Sequence, residues 1–294
     1  VASGKTAKDL LPESMSTDSD SPLIVDCDVT GSMSTWPGII FSKFPYLYHE
    51  AKTEYLGDDV AISFGAFDDI FTTAAYPIQA RPFGKDKELE AALKELVHTK
   101  QGGGSMQENS ELMALYRLRR VEMPKAIKKP IYIIITDEKP YDHVTQADAK
   151  RVYVDLETRL ISTHDIFEEL KKKYAVYLVL KPYSDSGADD NPTNTQVRMM
   201  WSKLLDDDHI AHLPQAERVM DVILGILAKE TGRVDYFKKE IEERQTPAQV
   251  DTVYKALKTV HALSAGTKAK KPAALGGKST FMGQGKGKKS GDLT

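Results

Sequence analysis

Asp26-Cys27-Asp28-Val29-Thr30-Gly31-Ser32 places two carboxylates, two hydroxyls and the chain's single thiol in one short stretch. Carboxylate and hydroxyl oxygens, with no histidine among them, suit a hard divalent cation such as Mg²⁺, which keeps near-octahedral oxygen coordination and several waters. Asp28, Thr30 and Ser32 are spaced two apart, so an extended loop turns all three toward one point. A second acidic turn, Thr136-Asp137-Glu138-Lys139-Pro140, follows the apolar run Ile131 to Ile135. Asp28 and Asp137 would supply the negative charge of such a site, directly or through water. Asp, Ser and Thr also favour capped turns at helix starts, and Asp137 also fits a plain turn before Pro140.

These residues need strands to deliver them. Leu23-Ile24-Val25 is an apolar run ending abruptly in small oxygen-bearing side chains, as a buried parallel strand does at the carboxyl edge of a sheet, where ligands bind in open α/β folds. Val60 to Phe67, Ile131 to Ile135 and Ala175 to Leu180 read as further strands, and the continuous β-branched run at Ile131 predicts cover on both faces. Ile70 to Tyr76 is expected to return antiparallel as an edge, and His209 to Leu213 to form another short edge strand. Helical spacing predicts helices over Ile39 to Leu56 (with Pro45 inside it), Lys87 to Val97, Glu108 to Arg119, Thr163 to Lys173, Thr195 to Leu205 and Gln215 to Glu230. Gln101-Gly102-Gly103-Gly104-Ser105 and Ser184 to Asn194 are loops. The alternation of strand and helix predicts a mostly parallel α/β sheet with helices on both faces.

Asp28-x-Thr30-x-Ser32-Met33 resembles the first loop of the metal-ion-dependent adhesion site (MIDAS) of von Willebrand factor A (vWA) domains, which reads Asp-x-Ser/Thr-Gly-Ser-Met. Val60 to Asp69 is similar to that family's second strand. Gly102-Gly103-Gly104 with Glu108 is similar to the Gly-Gly-Gly-Asp-x-Pro-Glu loop of one branch, and Ile134 to Pro140 to its Ile-Thr-Asp-x-x-Pro loop. The resemblance covers Leu23 to Glu230. It implies a vWA-like fold and an Mg²⁺ site (Mn²⁺ or Ca²⁺ as substitutes) ligated by Asp28, Thr30, Ser32, Asp137 and a middle-loop hydroxyl. Ser105 or Thr99 would be that hydroxyl, although neither keeps the family's register. Asp26 and Glu108 would support the ligands from behind. It further implies an open coordination position for an Asp or Glu of a protein partner, and the work of a cytoplasmic adaptor or scaffold without catalysis, such as one beside a MoxR-type AAA+ ATPase.

Asp26-x-Asp28-x-Thr30 is also similar to the opening of haloacid-dehalogenase-like phosphatases. There Asp26 would be the nucleophile and Asp28 the general acid/base, both on Mg²⁺. Thr136, Lys150 or Lys181, and Asp189-Asp190 would follow as later motifs, but Asp189-Asp190 terminates no apolar strand, and the Gly-Ser-Met after Thr30 has no task in that scheme. Asp26 therefore separates the two readings.

The chain has 294 residues, 41% hydrophobic and 28% charged, enough to bury a full core without disulfides or a structural metal. Its one cysteine, Cys27, permits neither an intrachain disulfide nor a thiolate zinc cage, and is expected to be a small buried residue. No apolar stretch approaches the roughly 20 residues that cross a bilayer, so a soluble, cytoplasmic protein without membrane insertion is expected. A net charge of −3 gives no overall pull toward nucleic acid. The expected organisation is a disordered lead-in over residues 1–22, a vWA-like domain over 23–230, a helical hairpin over 231–263 and a disordered basic tail over 264–294. In that tail Lys268 to Lys289 offers weak support for contact with RNA, an acidic partner or a membrane surface, while Gly276-Gly277-Lys278-Ser279-Thr280 lacks the first glycine and preceding strand of a phosphate loop.

Overall fold

The computed structural model describes residues 6–72, 75–97, 106–183 and 192–260. Six strands form the main sheet: β1 (Pro22–Asp28), β2 (Ala61–Phe67), β3 (Ile78–Ala80), β4 (Ile131–Thr136), β5 (Ala175–Leu180) and β6 (Ile210–His212). Their order is β6-β5-β4-β1-β2-β3, and every neighbour is parallel except β3 against β2. The helices are α1 (Trp36–Glu50), α2 (Lys87–Glu95), α3 (Ser110–Arg120), α4 (Thr163–Lys173), α5 (Pro192–Trp201), α6 (Val219–Thr231), α7 (Val234–Arg244) and α8 (Pro247–Ala256).

All residues of β1, β2, β4 and β5 are buried, because each of these strands is covered on both faces. The period of two divides them between two cores. Leu23, Val25 and Cys27 face the layer that holds Ile40, Phe44 and Leu47 of α1 and Val222, Ile223 and Ile226 of α6, with the Phe44 and Phe64 rings stacked at 4.4 Å between centroids. Ile24 faces Leu112 and Met113 of α3 and Ile166, Phe167 and Leu170 of α4. Asp26 and Asp28 are in phase with Ile24, so β1 drives two carboxylates into the α3–α4 side of the sheet.

The strand order places a topological switch between β1 and β4, where successive connections leave in opposite directions. The crevice beyond the carboxyl ends of those two strands is where such sheets bind ligands. β1 ends there in Asp28, and β4 in Thr136.

Three expectations are corrected. Residues 6–21 are not a flexible lead-in: Ala7–Leu10 is a helix, Met15–Ser16 pairs with Val121–Glu122, and Leu10, Leu11 and Met15 are buried, since these apolar side chains give the segment something to bury. The antiparallel edge is Ile78–Ala80, whereas Ile70 to Thr72, the start of the expected edge, form no strand, and residues 73 and 74 lie outside the described residues. The N–H groups of Ile70, Phe71 and Thr72 are taken by Asn109 Oδ1, Asp69 Oδ1 and the Asp69 carbonyl, which fixes a turn where a strand was expected. The helix expected from Ile39 starts at Trp36, runs through Pro45 and continues as a π-helical turn over Ala51–Leu56. The segment Ser184 to Asn194 lies outside the described residues up to 191, and α5 begins at Pro192. The tail from 261 onward also lies outside them.

Helices α7 and α8 share the α1–α6 core through Phe237, Ile241, Val253 and Leu257. Their approach is set by Gly225 of α6, where a Cβ would stand 2.3 Å from Leu257 Cδ1 and 3.2 Å from Phe237 Cζ. Gly225→Ala is therefore expected to cost about 1–3 kcal/mol through overpacking. Gly38→Ala, where a Cβ meets nothing within 4 Å, is expected to add about 0.5–1 kcal/mol by helix propensity. Chemical denaturation of the two variants beside the parent checks both signs.

Candidate metal centre

Asp28 ends β1 with its carboxylate fully buried. Its Oδ1 accepts the Thr30 N–H at 2.7 Å and its Oδ2 the Thr136 hydroxyl at 2.9 Å, so the ends of β1 and β4 are tied through it. The chain then makes a single 3₁₀ turn, Gly31–Met33, anchored by the buried Met33 and closed by Ser34 in the left-handed region at φ 51°. That turn brings the Ser32 hydroxyl to Asp137, to which it donates at 2.8 Å. The Thr30 and Ser32 oxygens are 2.9 Å apart. Ser32 has one proton and gives it to Asp137, so Thr30 donates to Ser32.

From β5, Lys181 follows the last apolar residue and reaches Asp137 Oδ2 with Nζ at 2.9 Å, also donating to the Ser32 carbonyl at 3.2 Å and the Pro182 carbonyl at 3.0 Å. The ammonium lies 5.8 Å from the centre of the Trp36 ring. Glu108 is buried beside the same cluster, because Gln107–Glu108 pairs with Lys139–Pro140. Its Oε1 is 3.4 Å from the Thr136 hydroxyl, a position well inside that of a surface acid at a helix start.

Asp26 has a different setting. Arg117 of α3 donates to both its oxygens, Nε to Oδ2 at 2.9 Å and Nη2 to Oδ1 at 2.6 Å, and both side chains are fully buried. Arg117 Nη1 continues to the Ser63 hydroxyl at 2.9 Å. Gly65 of β2 opens the space, since a Cβ there would stand 2.3 Å from Asp26 Oδ1. With both oxygens held by a bidentate guanidinium and no solvent access, Asp26 is not placed to attack a phosphoester. Cys27 points to the opposite face, where its thiol donates to the Asp28 carbonyl at 3.2 Å. Burial, then the nearby Asp28, push that thiol well above its ordinary range.

Four of the residues singled out in the sequence, Asp28, Thr30, Ser32 and Asp137, thus meet at one edge. Asp26 and Glu108 stand behind it, and Ser105, Thr99 and the glycine run lie outside the described residues. Thr136 and Lys181 enter from the sequence only as later motifs of the phosphatase alternative, and Glu138 and Arg117 have no assigned role there. Thr136, Glu138 and Lys181 are signalled by following apolar strands, and Arg117 by a charge in phase with the buried Met113 of its helix.

The donors fit a hard divalent cation. Asp28, Glu108, Asp137 and Glu138 are all buried, against the ammonium of Lys181. Three of their oxygens, Glu108 Oε2 and both of Glu138, have no hydrogen-bond partner among the described residues, a costly state unless a cation satisfies them. Burial, then Asp137, push Asp28 up to about 8 despite hydrogen bonds from Thr30 and Thr136. Burial, then Asp28 and Asp137, push Glu138 up to about 9. Burial also raises Asp137, with Lys181 opposing it.

The strand order, the switch-point crevice and the Asp28–Thr30–Ser32–Asp137 cluster coincide. The fold is vWA-like, with a MIDAS-like loop set. No family model and no curated protein matches the sequence. Among solved structures, the chain is similar to proximal thread matrix protein 1 of the mussel byssus, at 10% identity and TM-score 0.43 over 72% of this chain and 48% of that one. A form of that protein with a zinc-occupied MIDAS motif gives 10% and 0.42 over 72% and 49%. The pilus adhesin SpaC of Lactobacillus rhamnosus GG in its open conformation gives 14% and 0.48 over 77% of this chain and 31% of that one. The chain thus spans half or less of the length of each.

Asp206, Asp208 and His209 also bring ligand atoms within 4.8 Å of one another. They precede β6, level with the start of β5 and away from the Asp28 edge, and Asp208 already pairs with Lys229 at 2.9 Å. No helix among the described residues is long and apolar enough to cross a membrane.

Two outcomes follow for the metal-free protein. A carboxyl raised in the folded state contributes stability fully present below its ordinary value and lost as pH rises through the folded one. The melting temperature is expected to fall between pH 5 and 8, with a shallower fall in Asp28→Asn; equal slopes in the two proteins would contradict this origin. Arg117→Leu, which strands Asp26 as an unpaired buried charge, is expected to cost about 3–5 kcal/mol in urea denaturation.

Proposed function

We propose that this chain is a metal-dependent protein-binding module, in which Asp28, Thr30, Ser32 and Asp137 hold Mg²⁺ and the bound ion receives an Asp or Glu side chain of a partner. One observation carries the reading: four oxygen-bearing side chains from two strand ends converge on one buried point with more negative charge than Lys181 offsets. Mn²⁺ or Ca²⁺ would occupy the same oxygens with adjusted geometry. The bound ion supplies a Lewis-acidic anchor for a carboxylate. The chain's own residues orient it: Thr136 fixes Asp28, Lys181 fixes Asp137, and the 3₁₀ turn sets Ser32. The vWA resemblance suggests an adaptor or scaffold role with a MoxR-type AAA+ ATPase as one partner class. The engagement of Asp26 by Arg117 argues against the phosphatase alternative, which needs that carboxylate free.

Isothermal titration of the metal-free protein with Mg²⁺ is expected to give one site, lost in Asp28→Ala. Unchanged affinity in that variant would overturn the assignment. Hydrolysis of p-nitrophenyl phosphate is expected to stay at the buffer rate with saturating Mg²⁺. Mg²⁺-dependent turnover lost in Asp26→Asn would instead favour the phosphatase.

A further inference from the structure

Glu138 follows Asp137 beyond the end of β4. It is fully buried, and neither carboxylate oxygen has a hydrogen-bond partner among the described residues. The Ser32 hydroxyl stands beside it, but the one proton of that hydroxyl goes to Asp137. The backbone of Glu138 is fixed on both sides. Its N–H donates to the Thr136 hydroxyl oxygen at 3.1 Å, and its carbonyl accepts from Trp201 Nε1 at 2.9 Å. Trp201 is itself fully buried, with its ring edge-on to Phe167 at 5.6 Å.

The backbone of the acid is therefore held in place, and the charges that act most strongly on it are the carboxylates of Asp28 and Asp137, with Asp69 behind them. A carboxylate in that company is strongly disfavoured. Protonation would remove its charge but leave a hydroxyl donor and a carbonyl acceptor still unpaired. A cation shared with Asp28 and Ser32 satisfies both oxygens.

We propose that Glu138 is itself a ligand of the bound cation, occupying from within the coordination position that a partner carboxylate must take, so that the partner binds by displacing it. This rests on the metal-dependent binding reading above and adds a built-in competitor to it. Swapping one carboxylate for another conserves the charge of the site, which makes the binding reversible and selective for acidic side chains.

The test uses the full chain with Mn²⁺ as probe, measuring its affinity by electron paramagnetic resonance and the water-proton relaxivity of the bound ion. Glu138→Gln is expected to weaken Mn²⁺ binding by roughly tenfold or more and to raise bound-ion relaxivity by the share of one added inner-sphere water. Glu138→Asp, which keeps the charge but withdraws it by one methylene, is expected to show the same relaxivity rise, which a through-space effect of charge would not produce. Unchanged relaxivity in both variants would overturn the proposal. Asp28→Asn, run alongside, separates the two levels. If it abolishes Mn²⁺ binding while both Glu138 variants match the parent, the metal site stands and the role of Glu138 falls. If it leaves binding intact, the metal-site reading falls as well.

Discussion

Unbalanced negative charge in the crevice between β1 and β4 is the constraint around which this domain is arranged. Asp26, Asp28, Glu108, Asp137 and Glu138 are among the carboxyl groups buried on or near one sheet edge. Buried carboxylates must be paired, hydrogen-bonded or neutralised, and the chain answers differently for each. Asp26 is closed off by a bidentate guanidinium. Asp137 is half-compensated by the Lys181 ammonium. Among the described residues Asp28 receives neutral donors, from Thr30 and Thr136, and Glu138 receives none. The graded series leaves the deficit at the point where Thr30 and Ser32 also offer lone pairs.

The gradation follows from strand geometry. A period of two puts Asp26 and Asp28 on the same face of β1, one residue pair apart in depth. The deeper one lies level with Gly65 in the neighbouring strand, the small residue that leaves room for Arg117. The shallower one lies at the strand end, where the loop can turn back over it. The edge of β4 adds Thr136 and the two acids after it, and the edge of β5 adds Lys181, whose N–H bonds the Thr136 carbonyl at 2.9 Å. Function at this edge is thus a consequence of where three parallel strands stop.

The sheet was legible in the sequence because Leu23 to Val25, Ile131 to Ile135 and Ala175 to Leu180 are apolar runs bounded by polar turns, and doubly covered strands leave that mark. The meeting of Asp28, Thr30, Ser32 and Asp137 was legible too, since short spacing after a strand constrains side-chain direction. What stayed hidden depends on contacts across long sequence separations. Arg117 is 91 residues from Asp26, and a lone arginine in a helix looks like a solvated one until its partner is known. In the sequence Glu138 looks like part of a turn, because its burial comes from Trp201 and from the packing of Gln107–Glu108 beside it. The edge strand was misplaced because side-chain acceptors, Asn109 and Asp69, capture the backbone donors of Ile70 and Phe71.

A cation at the charge deficit of Asp28 and Glu138 is tested for most directly by anomalous diffraction at the manganese edge from crystals of the full chain grown with Mn²⁺. A single strong peak within bonding distance of Asp28, Ser32 and Glu138 at the β1–β4 edge is the predicted result. A peak confined to Asp206, Asp208 and His209, with none at the β1–β4 edge, would contradict it.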